Sequence, residues 1–282
     1  MSDATRADAA YQGAPGAFSE DAARALLGAR ARLRPCATLD ETFAVLTSGE
    51  TAAAVVPIEN TLAGPVPACA DLVARHDVRI VGERVLRIGH ALLAAPGVGC
   101  STIRRVFSHP VAIAQCEEFF RAHPAMTPVP AFDTAGAVAE VVREGWTDAA
   151  AIAGVRAADV YGAVVLAREI QDAPDNFTRF LLLARGAADV RFEPGCKTSL
   201  VCVLPNTPGA LAAALAPFAA RALNLTRIES RPVRRTPFEY AFHLDVAAGD
   251  GTALPDAIAA LRAAGISVRV LGHYPADSRL RS

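Results

Sequence analysis

Short apolar runs, polar turns and amphipathic stretches follow one another in a repeating order along the first two thirds of the chain. A short apolar run bounded by turn residues is typical of a buried strand, and apolar residues three or four apart are typical of a helix. The clearest strands are at 106–107, 129–132 and 149–152, and the helices that follow them are at 111–122, 135–144 and 155–161. This order, repeated with short connections, predicts lobes in which helices cover parallel sheets.

The first part of the chain follows the same plan less clearly. Residues 7–10 are mostly alanine and make a poor strand, whereas 52–56 form a short apolar strand that ends in Pro57-Ile58-Glu59-Asn60-Thr61. A glycine turn at 11–19 precedes a helix predicted at 20–31, and Ser19 is placed to cap its N-terminus. Residues 79–93 alternate in places, which predicts one or two strands that enter a second lobe.

The segment Asn176-Phe177-Thr178-Arg179-Phe180 opens an apolar strand predicted at 180–184. It combines a hydroxyl that can donate a proton with a guanidinium that can bind a carboxylate. Arginine is seldom buried without a partner, so Arg179 either serves a site at the strand edge or lies on the surface. These five residues alone do not decide between the two interpretations.

After residue 185 the pattern changes. Residues 186–197 are interpreted as a linker, and a βαββαβ order follows, which is the ferredoxin-like arrangement. Its strands are predicted at 198–204, 225–230, 239–246 and 267–272, its helices at 208–222 and 255–264, and a turn at 234–237. The predicted domains are therefore 8–185 and 198–275, and the second suggests ligand binding or dimerisation rather than catalysis.

Composition narrows the class of protein. With 282 residues, 52% apolar and 20% charged, the chain is long enough for two domains with their own cores. A net charge of -1 gives no electrostatic reason to expect nucleic acid or an anionic membrane as partner. The six cysteines show no metal-ligand spacing, which favours reduced thiols in a cytoplasmic protein. The first ten residues do not resemble a signal peptide, and no apolar run is long enough to span a bilayer.

Small polar residues recur in the turns that follow the predicted strands. In open α/β sheets these turns meet at one edge, together with helix N-termini that attract anions. The residues concerned are Ser19, Glu59, Asn60, Thr61, Ser108, His109 and Thr134. Each could be only a helix cap, but together they predict a cleft for a small anionic ligand, with phosphate and carboxylate equally suitable. The glycine turn lacks a full GxGxxG and no P-loop occurs, so a nucleotide site is not expected.

Seven short motifs in this order resemble prephenate dehydratase, the family that makes phenylpyruvate in phenylalanine biosynthesis. Five lie in the first predicted domain: QGAPGAFS from Gln12, PIENT from Pro57, SHP from Ser108 followed by AQC from Ala114, DTA from Asp133 and NFTRF from Asn176. Two in the second, PGAL from Pro208 and ESRP from Glu229, resemble the family's regulatory ACT domain. The resemblance covers nearly the whole chain.

The resemblance implies a two-lobed catalytic domain of the periplasmic-binding-protein type and a ferredoxin-like ACT domain. It implies that prephenate loses water and carbon dioxide in the cleft, and that phenylalanine regulates the enzyme by feedback. It implies no metal and no organic cofactor, and self-association as a dimer or tetramer. The ten residues before Tyr11 leave no room for the chorismate mutase helices of some relatives, so a monofunctional form is expected.

The same resemblance assigns roles to residues of the cleft. Thr178 is expected at the reacting centre, where it donates a hydrogen bond or proton to the departing hydroxyl. Arg179 is our candidate for clamping a substrate carboxylate, because its planar fork matches a carboxylate. The other expected substrate-binding residues are Asn60, Thr61, Ser108, Thr134 and Phe180, with Glu59, Gln115 and Asn176 supporting them. Glu59 and His109 could each act in structure or in chemistry.

A phenylalanine site is expected in the ACT domain. The expected residues are Asn206, Gly209, Ala210, Leu211, Asn224, Glu229, Ser230 and Arg231. From the residues alone, Gly209 could simply start a helix, and Glu229 to Arg231 could be a solvated edge strand.

Departures from the family pattern leave substrate preference open. PIENS is PIENT here, and SHPQA is SHPVA, with Val111 in place of glutamine. Two alternatives remain: arogenate dehydratase, whose substrate differs only by an amino group, and a non-catalytic amino-acid sensor. The intact Thr178-Arg179 pair argues against the sensor.

Overall fold

The computed structural model of the chain describes residues 7–188, 192–233, 239–247 and 253–280. Its strands are β1 (Ala7–Gln12), β2 (Leu33–Cys36), β3 (Thr51–Asn60), β4 (Gly64–Pro65), β5 (Val78–Arg87), β6 (Ala91–Ala94), β7 (Arg105–Ser108), β8 (Thr127–Pro130), β9 (Ala149–Ala153), β10 (Val164–Arg168), β11 (Phe177–Arg185), β12 (Cys196–Leu204), β13 (Asn224–Pro232), β14 (Tyr240–Ala247) and β15 (Ser267–Pro275). Its helices are α1 (Phe18–Leu27), α2 (Leu39–Ser48), α3 (Pro67–Arg75), α4 (Pro110–Ala114), α5 (Glu117–Ala122), α6 (Thr134–Glu144), α7 (Arg156–Tyr161), α8 (Ala210–Ala219) and α9 (Ala253–Ala263). No helix in these ranges is long and apolar enough to cross a membrane.

Lobe 1 is built on the strand order β2-β1-β3-β11-β5, with α1, α2 and α3 packed against it. Strand β1 runs parallel to β2 and β3, whereas β11 lies antiparallel between β3 and β5. The expectation of purely parallel sheets is therefore wrong. The alanine-rich β1 is a strand all the same, because Ala9 and Ala10 are fully buried where β1 lies between β2 and β3.

Lobe 2 is the five-stranded sheet β10-β6-β9-β7-β8. Strand β7 pairs parallel with β8 and β9, while β6 pairs antiparallel with β9 and β10. The chain passes between the lobes twice, through residues 88–90 (the first link) and 169–176 (the second link). The predicted two-lobed α/β arrangement is confirmed, and the space between the lobes is called the cleft below.

The C-terminal domain has the strand order β13-β14-β12-β15, with α8 and α9 over one face. Leu200, Phe218 and Leu244 are fully buried in its core. The predicted βαββαβ order is confirmed, while the turn predicted at 234–237 lies outside the described residues. This sheet continues into lobe 1, because Gly272 of β15 pairs with Ile80 of β5.

The joint between the two domains requires a glycine. A Cβ placed on Gly272 would overlap the backbone carbonyl of Ile80. We expect Gly272→Ala to lower the free energy of unfolding by about 1–3 kcal/mol, the usual cost of overpacking. Urea unfolding would measure this, with Gly99→Ala as the matched control because a Cβ there meets no atom within 4 Å. An unchanged midpoint in Gly272→Ala would show that the joint adapts without cost.

Two helices differ from their sequence predictions at the ends that matter for the site. The helix predicted at 20–31 begins two residues earlier, with Ala17 rather than Ser19 at the N-cap. Ser19 is buried in the first turn, and the carboxylate of Glu20 accepts from the N–H of Gly16 at 2.7 Å. The capping role expected of Ser19 is therefore wrong, and the Glu20 carboxylate instead holds the turn that leads into α1.

The helix predicted at 111–122 is two helices, α4 and α5, broken at Gln115 and Cys116. The carboxylate of Asp172, in the second link, accepts from the N–H groups of Glu117 and Glu118 at 2.9 Å. This contact starts a new helix where the sequence carries no glycine or proline to end the first. The break leaves Gln115 at the end of α4.

Candidate functional site

Strands β3 and β11 bring two of the expected site residues face to face. Asn60, the last residue of β3, pairs in register with Thr178 near the start of β11. Thr61 extends this pairing, because its N–H donates to the carbonyl of Phe177 and its hydroxyl accepts from the N–H of Phe177, both at 2.9 Å. Two motifs separated by more than a hundred residues thus form one polar corner of lobe 1.

The side chain of Asn60 can be oriented without ambiguity. Its Oδ1 accepts from the backbone N–H groups of Leu62 at 3.0 Å and Ala63 at 2.8 Å. Backbone N–H groups only donate, so the Nδ2 amide must face the other way. There its two hydrogens face three acceptors, Asn176 Oδ1 at 2.8 Å, Thr178 Oγ1 at 2.9 Å and the carbonyl of Phe177 at 3.1 Å, so one hydrogen is shared between two of them.

This orientation fixes the role of the Thr178 hydroxyl. Because Asn60 donates to Oγ1, the hydroxyl accepts from the protein and its own proton is left to donate elsewhere. An amide donor at 2.9 Å also polarises the O–H bond and strengthens it as a donor. Thr178 is half-buried, so its proton can meet a ligand in the cleft.

Lobe 2 reaches this corner through Gln115. Asn176 Nδ2 donates to Gln115 Oε1 at 2.9 Å, and Gln115 Nε2 lies 3.5 Å from Asn60 Oδ1. Asn176 is fully buried, so both ends of its amide need these partners. Four expected residues therefore form one hydrogen-bonded group across the lobes, namely Asn60, Gln115, Asn176 and Thr178. We call it the amide cluster.

One member of this region was missed by the sequence analysis. His90 lies in the first link, is 3% exposed, and places its Nε2 2.9 Å from Gln115 Oε1. Burial lowers the pKa of its imidazole below the ordinary value, with smaller opposite effects from the bond to Gln115 and from the charge of Glu169. A single histidine in a link carries no motif, so no sequence signal could have singled it out.

Ser108 and Thr134 lie at the strand and helix ends where they were expected, but neither belongs to the amide cluster. The Ser108 hydroxyl is fully buried and donates to the carbonyl of Ile152 at 2.7 Å. Thr134 is the first residue of α6, whose N-cap is Asp133. The Asp133 carboxylate accepts from Ala14 of lobe 1 at 2.6 Å and from Ala135 at 2.8 Å. It therefore fills the helix N-terminus that was expected to receive a ligand anion.

The structure does not support Arg179 as a clamp for a substrate carboxylate. Successive residues of a strand point to opposite faces, so Arg179 points away from the face that Thr178 occupies. Arg179 is 5% exposed, and its guanidinium donates to Asp245 at 2.6 Å, Glu83 at 2.7 Å and the Tyr274 hydroxyl at 3.0 Å. The donors of the guanidinium are therefore already used by side chains of lobe 1 and of the C-terminal domain.

The surroundings of Arg179 form a buried charged cluster, here called the arginine cluster. It comprises Arg179, Glu59, Glu83, Lys197, Ser199, Asp245 and Tyr274. Burial alone would lower the pKa of Arg179, but the acidic groups around it, Asp245 foremost, raise it well above the ordinary value. The pKa of Asp245 is lowered: burial acts to raise it, and Arg179 and Arg227 outweigh that effect.

Phe180 is also not a cleft residue. It is 2% exposed and packs with Tyr11, Ala22 and Val55 between the sheet and α1. The expectation that Phe180 contacts the substrate is corrected: it supports the strand that carries Thr178.

The two residues with open roles have structural partners. The carboxylate of Glu59 accepts from Arg179 at 2.9 Å and lies 3.8 Å from Arg227. His109 is exposed and caps α4, accepting from the N–H of Val111 at 3.2 Å. Both contacts agree with the structural interpretation of these residues.

The residues expected to bind phenylalanine fall into two groups within one chain. The turn that carries Asn206 and Gly209 follows Leu204, which pairs with Tyr240, and Pro232 pairs with the same tyrosine. The turn therefore lies at the same end of the sheet as Arg231, whereas Asn224 lies at the other end of β13. Ala210 and Leu211 begin α8, and Ser230 is exposed.

Two of these residues already have ionic partners. Glu229 pairs with Arg227. Arg231 forms a two-pronged bond with Asp71 of α3, at 2.9 and 3.0 Å. The ESRP motif therefore contacts lobe 1 directly.

We expect His243 of β14 to make the free energy of unfolding depend on pH. It is 3% exposed, and burial lowers its pKa from 6.5 to about 4, with a further contribution from Arg227. When the pKa of a histidine is lower in the folded than in the unfolded state, its protonation favours unfolding. This residue therefore leaves the free energy of unfolding unchanged above pH 6.5 and lowers it as the pH falls towards about 4. We expect His243→Gln to lose less stability than the wild type between pH 7 and pH 4.5, measured by urea unfolding at each pH. Equal losses would contradict the assignment, and the exposed His109→Gln serves as control.

A pocket of about 370 Å³ opens between the lobes beside Asp133. It is lined by Gly13, Ala14, Pro35, Cys36, Ala37, Ala131, Phe132, Asp133, Gly136, Ala137 and Glu140. Thr178 is not part of its wall, so the pocket and the amide cluster occupy different parts of the cleft. Across the ranges that the structure covers, no three His, Cys, Asp or Glu side chains are grouped as metal ligands would be.

The family model described as prephenate dehydratase matches residues 9–188, and the model of the ACT domain matches residues 198–266. Arogenate dehydratase/prephenate dehydratase 2 of Arabidopsis thaliana is 40% identical over 99% of this chain and 76% of its own length.

Solved structures are also similar to this chain over most of its length. Prephenate dehydratase from Arthrobacter aurescens in complex with L-Phe is 36% identical, with a TM-score of 0.84 over 94% of this chain and 90% of that one. GqqA, described as a novel type of quorum quenching acylase, is 35% identical, with a TM-score of 0.87 over 96% of this chain and 98% of that one.

Proposed function

Because this chain belongs to the prephenate dehydratase family, we propose that the amide cluster is where it removes water and carbon dioxide from prephenate. The observation that carries this proposal is the hydrogen bond from Asn60 Nδ2 to Thr178 Oγ1. It leaves the Thr178 proton free to meet a departing hydroxyl. The reaction is the one that the family performs, and the residue roles below are our proposal.

The reaction requires little of the protein beyond the positioning of the substrate and of a hydrogen-bond donor. As the bond between the ring and its carboxylate breaks, its electron pair enters the ring, hydroxide leaves from the opposite carbon, and the ring becomes aromatic. The barrier comes from the poor leaving group, so a donor at the leaving oxygen is the main requirement. Positioned acids of this kind contribute about 10²–10⁴-fold. Thr178 supplies the donor, and solvent supplies the proton that completes the water.

Neutral donors suit the departing carboxylate. A strong ion pair to that carboxylate would stabilise the ground state, in which it is charged, more than the transition state, in which its charge moves into the ring. The described residues around Thr178 offer a hydroxyl and amides, while Arg179 is occupied elsewhere. Gln115 Nε2, with only a 3.5 Å contact to Asn60, is the second donor that we assign to the substrate.

The similarity to GqqA raises an acylase as the rival activity. Amide cleavage by Thr178 would need a base to take its proton. Asn60 Nδ2 is a donor and cannot take a proton, so the polarity of this hydrogen bond favours the dehydratase. Arogenate dehydratase would use the same polarity, since arogenate differs from prephenate only in its side chain.

Regulation by phenylalanine follows from the ACT domain and from the Arthrobacter aurescens complex with L-Phe. We propose that the effector binds near Gly209 and the ESRP motif, where Arg231 already contacts α3 of lobe 1. Within the described part of the chain β13 is an edge strand paired with β14 alone, and an edge of this kind can pair with a second copy of the chain, which supports a dimer or a tetramer. The six cysteines are all free thiols, which supports a reducing compartment such as the cytoplasm.

One assay tests the proposed function. The purified chain would be incubated with prephenate, with arogenate and with an acylated amine, each with and without phenylalanine. We expect phenylpyruvate from prephenate and inhibition by phenylalanine. Turnover of the acylated amine alone would overturn the proposal, and faster turnover of arogenate than of prephenate would reassign the substrate.

A further inference from the structure

The imidazole of His90 is a buried group at the cleft that the proposed chemistry does not use. His90 is 3% exposed, its Nε2 faces Gln115, and its Nδ1 has no hydrogen-bond partner among the described residues. Its backbone is held from the second link, because its N–H donates to Gln171 Oε1 at 2.8 Å and its carbonyl accepts from Ile170 at 3.0 Å. Its ring meets that of Phe18 edge-on at 5.9 Å. The histidine is therefore held in place from both lobes.

The polarity of the amide cluster can be followed from one end to the other. The backbone N–H groups of residues 62 and 63 fix Asn60, so Asn60 Nδ2 must donate to Asn176 Oδ1. Asn176 is then left with Nδ2, which donates to Gln115 Oε1. Because that oxygen accepts, the His90 nitrogen 2.9 Å away must carry a hydrogen.

We propose that His90 is a positioning residue of the dehydratase, whose Nε2–H holds Gln115 with its Oε1 towards Asn176 and its amide nitrogen towards the substrate. The Nε2–H tautomer is the only neutral form that completes the cluster. In the other tautomer, bare Nε2 would face an accepting oxygen, and Gln115 would turn over. Asn176 would then lose its acceptor. The donor and acceptor directions in the amide cluster, which leave the Thr178 proton free, would be disturbed.

The expected effect of His90 on kcat rests on the proposed function. The expected tautomer of His90 does not. The tautomer is a property of the resting protein. It can be read from the ¹⁵N shifts of the imidazole in labelled wild-type protein, because protonated and bare ring nitrogens differ clearly. The six histidines make assignment practical. We expect a neutral His90 with the hydrogen on Nε2 at pH 7.5, and an Nδ1–H tautomer or an imidazolium would overturn the proposal.

Two variants separate positioning from packing. Gln can place an amide nitrogen near the position of Nε2, so His90→Gln retains a donor to Gln115. His90→Leu fills similar space without a donor. We expect kcat on prephenate to fall about tenfold or more in His90→Leu and to stay within about threefold of wild type in His90→Gln, since one neutral hydrogen bond is lost in the first and kept in the second. KM should change less than kcat in both.

The opposite order would overturn the proposal. If His90 only fills space, the apolar variant should match or exceed the glutamine variant, because Leu needs no partner in a buried site. Should neither variant fold, the tautomer measurement on the wild type still decides. If the wild type fails to convert prephenate while His90 shows the Nε2–H tautomer, the proposed function fails and the hydrogen-bond assignment stands.

Discussion

Replacing Thr178 by valine should lower kcat on prephenate by at least about 100-fold, the lower end of what a positioned acid contributes. Valine keeps the branched shape of threonine and removes only the hydroxyl. Asn60 Nδ2 retains its bonds to Asn176 and to the carbonyl of Phe177, so the fold of the corner should persist. Steady-state kinetics would measure the loss, with circular dichroism and urea unfolding to check the fold.

Thr178→Ser is the matched control, because it restores the hydroxyl without the methyl group. We expect it to recover most of the lost turnover, within about tenfold of wild type, since the donor is present but less firmly held. Turnover close to wild type in Thr178→Val would remove Thr178 from the mechanism. An inactive Thr178→Ser with an active Thr178→Val would point to packing instead.

The second large effect is expected from Arg179→Met, and it concerns stability rather than binding. Removing the guanidinium leaves Glu83 and Asp245 buried with fewer partners. Breaking a buried ion pair from one side typically costs about 3–5 kcal/mol, because the remaining charge is uncompensated. Urea unfolding should show a loss of that size. KM for prephenate in the folded fraction should change little, since Arg179 faces away from the cleft.

An exposed arginine provides the comparison. Arg34 and Glu50 form an ion pair on the surface, and Arg34→Met should cost less than about 1 kcal/mol. Arg179→Lys keeps a charge but not the fork, so we expect a loss between those of the other two variants. If Arg179→Met kept its stability but raised KM tenfold or more, the guanidinium would be a substrate clamp after all.

The sequence predicted the order of the elements well, because that order depends on local patterns. The strand at 180–184, the helix at 135–144 and the βαββαβ unit are all present with shifted ends. The helix predicted at 111–122 failed for a tertiary reason: Asp172, more than fifty residues away, starts α5 in the middle of it. A local pattern contains no information about that contact.

The candidate site was predictable in part. Thr178 and Asn60 could be named from motifs, but their pairing depends on the register between β3 and β11. Arg179 was misplaced although strand periodicity alone puts neighbouring residues on opposite faces. What the sequence could not supply was its partners, since Asp245 and Tyr274 lie in a different domain. His90 could be identified only from the structure, through its contact with Gln115 Oε1.

The continuous sheet and the arginine cluster also bear on how an unregulated enzyme could be engineered from this chain. Cutting the polypeptide between the domains would strip Asp245, Ser199 and Tyr274 from the underside of the strand that carries Thr178. It would also expose the edge of β5 that β15 now covers. Truncation would thus damage the catalytic half at the same time as it discards the sensor. Point substitutions in the turn around Gly209, where we propose that phenylalanine binds, would leave that joint intact and are the safer route to insensitivity towards the end product.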